Sequence, residues 1–130
     1  SIASEKRMLS SMTPTIVEKD GKLKMVLGTP GGSTIITSVL QNIINVVDYN
    51  MGMQESVNQP RFHHQWLPDI IKMEPNGFKK ETKRKLNTLG YEILEKNSLI
   101  IGKVDAILVL PDGKLEGGAD KRGDDTAVGF

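Results

Sequence analysis

Residues 28–48 read GTPGGSTIITSVLQNIINVVD, from Gly28 to Asp48, and this stretch decides the fold. After Ser33 the apolar residues fall as doublets four apart, Ile35 and Ile36, Val39 and Leu40, Ile43 and Ile44, then Val46 and Val47. That period is helical and defeats the strict alternation of a strand. Thr34, Ser38, Gln41, Asn45 and Asp48 fill a narrower opposite face, which predicts a helix from Ser33 to Asp48 lying largely buried between other layers. Ser33 is the predicted N-cap. The Gly31-Gly32 pair before it lets the backbone turn sharply and bring its N–H groups close to a ligand. Exposed N–H groups at the mouth of a helix suit an anion or a developing oxyanion. The same residues also suit a tight strand-to-helix turn with no ligand at all, and on their own they leave the choice open.

Working outward, Thr13 to Glu18 is β-branched and extended, Asp20-Gly21 is a hairpin signal, and Leu23 to Leu27 returns as a second strand. Two antiparallel strands thus deliver the chain to the glycine turn. Before them, Ser1 to Leu9 is a polar lead-in or a cut end. Beyond the helix, Asn50 and Gly52 are stop residues, and a short helix from Met53 to Asn58 is closed by Pro60. Ile70 to Glu74 is a predicted strand, followed by a turn at Pro75-Asn76-Gly77. Lys79 to Leu89 is a predicted amphipathic helix using Phe78, Thr82, Leu86 and Leu89, and Gly90 stops it. Strands are predicted at Tyr91 to Leu94, Val104 to Leu110 and Lys114 to Glu116, before a glycine-rich loop from Gly117 to Gly123. The mixture gives an α+β fold of antiparallel strands with a buried central helix. No repeat or linker divides residues 1–130, which read as one domain or part of one.

Composition narrows the functions. The chain is 38% hydrophobic and 25% charged with a formal net charge of +1, an ordinary globular balance that points to no partner. The densest basic run, Lys79, Lys80, Lys83, Arg84 and Lys85, lies on a predicted exposed helix without interleaved aromatics and reads as a solvated face, not a nucleic-acid surface. There are no cysteines, so disulfides, thiolate metal sites and a cysteine nucleophile are all excluded, while the compartment stays open. No apolar run approaches the ~20 residues that span a bilayer, and the first residues carry no signal-peptide pattern. Any export signal would belong to a longer precursor.

Arg61-Phe62-His63-His64-Gln65-Trp66-Leu67-Pro68 is the segment richest in functional side chains. Adjacent histidines on an extended segment point to opposite faces, so one ion would rarely take both. Packing and hydrogen bonding around Trp66 is the expectation for them, ahead of a metal site.

Several of these stretches together resemble the C-terminal part of the small subunit of γ-glutamyltranspeptidase (γ-glutamyltransferase), an N-terminal-nucleophile hydrolase. The likeness runs from about Glu5 to Phe130. It rests on Leu9-Ser10-Ser11-Met12-Thr13-Pro14-Thr15-Ile16-Val17, on Gly28-Thr29-Pro30-Gly31-Gly32-Ser33, on Pro60 through Pro68, and on the glycine-rich close around Asp120. The resemblance implies a four-layer αββα sandwich produced by autocleavage of a precursor into large and small subunits. It implies transfer of a γ-glutamyl group, from glutathione or another donor, through an acyl-enzyme to water or to an amino-acid or peptide acceptor. A related acylase, such as a cephalosporin acylase, is the alternative within that architecture.

Carried over residue by residue, the resemblance makes Ser10 and Ser11 the clamp for the donor's α-carboxylate and the Gly31 and Gly32 N–H groups the oxyanion hole. Small hydroxyls and backbone N–H donors are able to hold a carboxylate without a bulky cation. The family's nucleophile is a threonine at the N-terminus of the small subunit, activated by its own amino group. No residue here matches it: Ser1-Ile2-Ala3-Ser4 fits no nucleophile motif, and Thr13, Thr15 and Thr29 are internal. The implied partners are a γ-glutamyl small molecule, the large subunit and the remainder of the small subunit. No cofactor is implied, and periplasmic or secreted placement is the expectation. A non-catalytic domain that self-associates through open strand edges is the competing expectation.

Overall fold

The computed structural model of the chain describes residues 3–7, 10–96 and 100–129. Ser1 and Leu9, which figure in the expectations above, lie outside the described residues. In chain order the elements are β1 (Thr15–Lys19), β2 (Lys22–Gly28), α1 (Ile35–Val47), α2 (Met53–Asn58), β3 (Phe62–His63), β4 (Ile70–Met73), α3 (Lys80–Thr88), β5 (Glu92–Glu95), β6 (Asp105–Val109) and β7 (Leu115–Gly118). The mixed α+β class read from the sequence is what folds. No described helix is long and apolar enough to cross a membrane.

The larger sheet is antiparallel with strand order β1-β2-β6-β7. Its first hairpin turns at Asp20 and Gly21, whose φ values of 53° and 71° are the paired positive angles of a type I′ turn. Alternation then sorts the side chains. Met25 and Leu27 of β2 and Ala106 and Leu108 of β6 are buried on one face, where they join Val39 and Val46 of α1, Met53 and Val57 of α2, and Val104. Met25, Met53, Val57 and Val104 are wholly inaccessible, and each such side chain contributes about 1.5–3 kcal/mol by leaving water. On the other face Ile16, Val26 and Ile107 stand side by side across β1, β2 and β6, and all are exposed.

The central helix departs from its expected form in two ways. Ser33 is not its N-cap: a 3-10 turn occupies Gly32–Thr34, the α-helix starts at Ile35, and Thr34 stands at the cap position without a side-chain cap hydrogen bond. Nor is the helix sandwiched on both sides. Ile35, Ser38, Val39, Asn42 and Val46 are buried, whereas Ile36, Leu40 and Val47 are exposed. Two polar residues on the inner face are held by hydrogen bonds: Ser38 donates to the carbonyls of Thr34 and Ile101, and Asn42 accepts from Ser56.

The smaller sheet has order β3-β4-β5, with β3 antiparallel and β5 parallel to β4. The β4–β5 crossover carries α3, which has no buried residue, and Leu89 at its end is exposed. The expected apolar face of that helix is therefore only partly used.

Candidate active site

Strand pairing collects three distant segments at one end of the larger sheet. Thr15 pairs with Leu27, so Thr13 and Pro14 continue alongside the end of β2, and a Cβ on Gly28 would lie 3.3 Å from the Thr13 carbonyl oxygen and 3.6 Å from Pro14 Cα. Gly28 pairs with Asp105 on its other side, which brings residues 101–104 to the same end. Between them the chain leaves β2 through buried Thr29 and turns at Gly31 and Gly32. Their φ values are 143° and 58°, conformations that disfavour a side chain. Gly31 is tied sterically as well, since a Cβ there would lie 2.6 Å from Thr34 Oγ1 and 3.4 Å from Gly102 Cα.

Both glycines are exposed, and among the described residues neither N–H has a backbone or side-chain acceptor. These donors are adjacent, at the start of the 3-10 turn that leads into α1. Ser10 and Ser11 are exposed too, with the Ser10 hydroxyl donating to the Met12 carbonyl.

Behind this end lies a buried ionic frame. Arg61, 2% exposed, donates to Asp120 Oδ2 at 2.6 Å, to the carbonyls of Ile101 and Gly102, and to that of Val57. Its Nε is a buried atom without a partner. Asp120, fully buried, also accepts from the Val104 and Arg122 backbone N–H groups and from the Arg122 guanidinium. Glu74 accepts from Arg122, from the Arg61 backbone N–H and from that of Ile101. Burial alone would raise the Asp120 carboxyl, but the Val104 and Arg122 N–H donors and the Arg61 charge outweigh it and hold the group below the usual carboxylate range. For Arg61 burial prevails and lowers its pKa despite Asp120, whereas Glu74 and Asp120 raise that of Arg122 against its burial.

The two histidines do point to different surroundings. Buried His63 bonds Thr37 Oγ1 of α1 at 2.8 Å and Gln65 at 2.9 Å, while His64 pairs with Asp69. They do not gather around Trp66, which is 76% exposed. No group of three potential metal ligands occurs among the described residues.

Sequence reading missed Thr29, Gly102 and the four charged residues of the frame as structural determinants of this end. Arg61 and Asp120 lie within the quoted motifs, but their pairing spans 59 residues and leaves no local pattern.

Fold and site together define a mixed α+β chain with a glycine turn whose two N–H groups have no acceptor among the described residues, and with a buried salt-bridge frame that holds the neighbouring residues 101–104. Residues 1–130 match the family described as Gamma-glutamyltranspeptidase along their whole length. The chain belongs to the gamma-glutamyltranspeptidase family. It is 47% identical over 130 residues to a glutathione hydrolase proenzyme of Escherichia coli K12, covering 99% of this chain and 22% of the relative. It superposes on a gamma-glutamyltranspeptidase mutant of Helicobacter pylori with a TM-score of 0.86 and 50% identity, covering 94% of this chain and 66% of that one. The Pseudomonas nitroreducens gamma-glutamyltranspeptidase complexed with L-DON also gives a TM-score of 0.86, at 37% identity, over 100% of this chain and 67% of that one. The chain thus spans about a fifth of the length of the curated relatives it matches.

Proposed function

We infer that residues 1–130 form the C-terminal part of a small subunit in a γ-glutamyl-transferring enzyme and supply its oxyanion hole and donor-carboxylate clamp. The observation that carries this is the Gly31-Gly32 turn: two consecutive glycines, both at positive φ, both exposed, both with N–H groups lacking an acceptor among the described residues. In the proposed reaction a threonine hydroxyl from outside these residues attacks the γ-carbonyl carbon of the donor. The carbonyl π pair moves onto oxygen, and the Gly31 and Gly32 N–H groups stabilise the charge that develops there. An effect of this kind is typically worth ~3–4 kcal/mol per donor. Collapse expels the leaving amine, which takes up a proton, and leaves a γ-glutamyl ester. Water or an acceptor amine then attacks that ester, releasing glutamate or a new amide and restoring the hydroxyl. Ser10 and Ser11 hold the donor's α-carboxylate throughout.

The exposed apolar surfaces support the wider assembly. Ile16, Val26 and Ile107 on the sheet and Ile36, Leu40 and Val47 on α1 face water, an arrangement suited to burial under further layers. In the proposed αββα sandwich those layers come from the large subunit and the rest of the small subunit. The test is to join this chain to an upstream segment that begins with the nucleophilic threonine and to follow chromophore release from a γ-glutamyl anilide. The chain alone should release none and the joined enzyme should turn over; a correctly folded complex without turnover overturns the proposal.

A further inference from the structure

We propose that Thr29 and Thr34 are positioning residues that aim the two N–H groups of the Gly31-Gly32 turn by holding the carbonyls of the same peptide units; the inference rests on the oxyanion reading above. A peptide unit is planar and trans, so fixing the direction of its C=O fixes its N–H in the opposite direction. The Pro30 carbonyl belongs to the unit that carries the Gly31 N–H. The buried Thr29 hydroxyl donates to that carbonyl at 2.6 Å. The Gly31 carbonyl belongs to the unit that carries the Gly32 N–H. It accepts from the Thr34 hydroxyl at 2.9 Å and from the Thr34 backbone N–H at 3.2 Å. Each candidate donor is therefore directed by one threonine hydroxyl behind it. Glycine is the residue least able to hold its own orientation, which is why outside restraint matters at these two positions.

The Thr29 hydroxyl is itself fixed from a distant segment. Its oxygen accepts from the Lys103 backbone N–H at 2.7 Å, leaving its one proton for Pro30. Residues 101–103 are held in turn by Ser38 and Arg61 on the Ile101 carbonyl and by Arg61 on the Gly102 carbonyl. Gly102, at φ 69°, lets this segment sit against both the turn and the helix: a Cβ on it would lie 2.6 Å from Ser38 Oγ and 2.9 Å from Thr29 Oγ1. The chain of contacts thus runs from Arg61 through residues 101–103 to Thr29, and from there to the Gly31 N–H.

The experiment uses the complete enzyme, with kcat and KM for a γ-glutamyl anilide expressed per correctly processed molecule. Thr29→Val and Thr34→Val remove the hydroxyls at nearly constant shape, while Thr29→Ser and Thr34→Ser keep them. Each valine variant should lower kcat by about 10- to 100-fold with KM within about twofold, a part of the 10²–10³ lost when an oxyanion donor is removed outright. Each serine variant should recover most of that loss, which a merely structural role for the side-chain methyl would not produce. Thr29→Val also strands the Lys103 N–H, so the partly exposed Thr34 is the cleaner site if that variant folds poorly. The control replaces the backbone amide by an ester at Gly31 and at Gly32 in turn, by semisynthesis, which removes the N–H itself; Gly31→Ala would keep that N–H and press a Cβ to 2.6 Å from Thr34 Oγ1. If either ester lowers kcat while both valine variants keep wild-type kcat, the positioning inference is wrong and the oxyanion reading stands. If both folded, processed ester variants also keep wild-type kcat, the oxyanion reading fails and this inference with it.

Discussion

Replacing Asp120 with alanine removes a fully buried carboxylate from between two guanidinium groups. Arg61 would keep only carbonyl acceptors, those of Val57, Ile101 and Gly102, so its charge would stay buried without a hydrogen-bonded counter-ion, leaving only the more distant Glu74. The Val104 N–H would lose its acceptor as well. Arg122 fares better because it retains Glu74. Breaking a buried ion pair from one side costs about 3–5 kcal/mol. Against a total stability of about 5–15 kcal/mol that is about a fifth of the whole or more. With an m-value of about 2 kcal/mol/M, a loss near 4 kcal/mol lowers the urea midpoint by about 2 M. Far-UV circular dichroism is the suitable probe, since exposed Trp66 reports poorly on unfolding. Asp112→Ala, which breaks the exposed pair with Lys114, should leave the midpoint in place. An Asp120→Ala loss below about 1 kcal/mol, the value of a surface pair, would refute the claim that the frame is buried and mutually dependent.

Other expectations concern acid, packing and substrate. Asp120 has a folded pKa below its unfolded one, so its stabilisation is complete above the ordinary aspartate value near ~4 and is lost as pH falls through the lower folded value. Asp105, raised by burial and by the charges of Asp125 and Asp120, acts with the opposite sign, its contribution fading as pH rises. Urea midpoints between about pH 2 and 6 should therefore drop steeply at the acid end, and Asp120→Asn should flatten that limb. Val39→Asp puts an unpaired charge among Met25, Leu27 and Val46 and should abolish cooperative melting, whereas Ile36→Asp, on the exposed face of α1, should leave the isolated chain folded yet hinder its joining to the complete enzyme. Ser10→Ala with Ser11→Ala in the complete enzyme should mainly raise KM for the γ-glutamyl anilide; unchanged steady-state constants would remove both serines from the site.

Local chemistry made part of this fold legible. Asp20-Gly21 announces its own turn because type I′ geometry needs two positive φ angles, and Asn50, at φ 54°, ends the central helix for a related reason. The apolar doublets announced a helix but not its orientation. Of three of the four pairs one member faces the core, Ile35, Val39 and Val46, and the other faces water, Ile36, Leu40 and Val47, while Ile43 and Ile44 are both half-buried, so either rotation satisfied the same pattern. Ser38 was placed on the narrower polar face by the sequence pattern, yet it is buried, because its partner Ile101 is remote in sequence. The glycine turn was visible as a pair of residues, but the free state of its N–H groups depends on a 3-10 start that displaced the helix from Ser33.

The ionic frame explains how loops can form the rear wall of such a site. Buried backbone groups outside strands and helices still need partners. Here side chains supply them. Glu74 satisfies the N–H groups of Arg61 and Ile101, and Asp120 satisfies those of Val104 and Arg122. Arg61 and Arg122 serve the carbonyls of Val57, Gln59, Ile101 and Gly102. An apolar core of equal volume would avoid the cost of desolvating four charges but would leave these backbone groups unpaired, so the usual advantage of hydrophobic replacement does not carry over to this position. Two positive and two negative side chains cancel overall and act in place of a strand ladder. Residues 101–104 consequently reach the back of the Gly31-Gly32 turn in a fixed register without being part of either sheet.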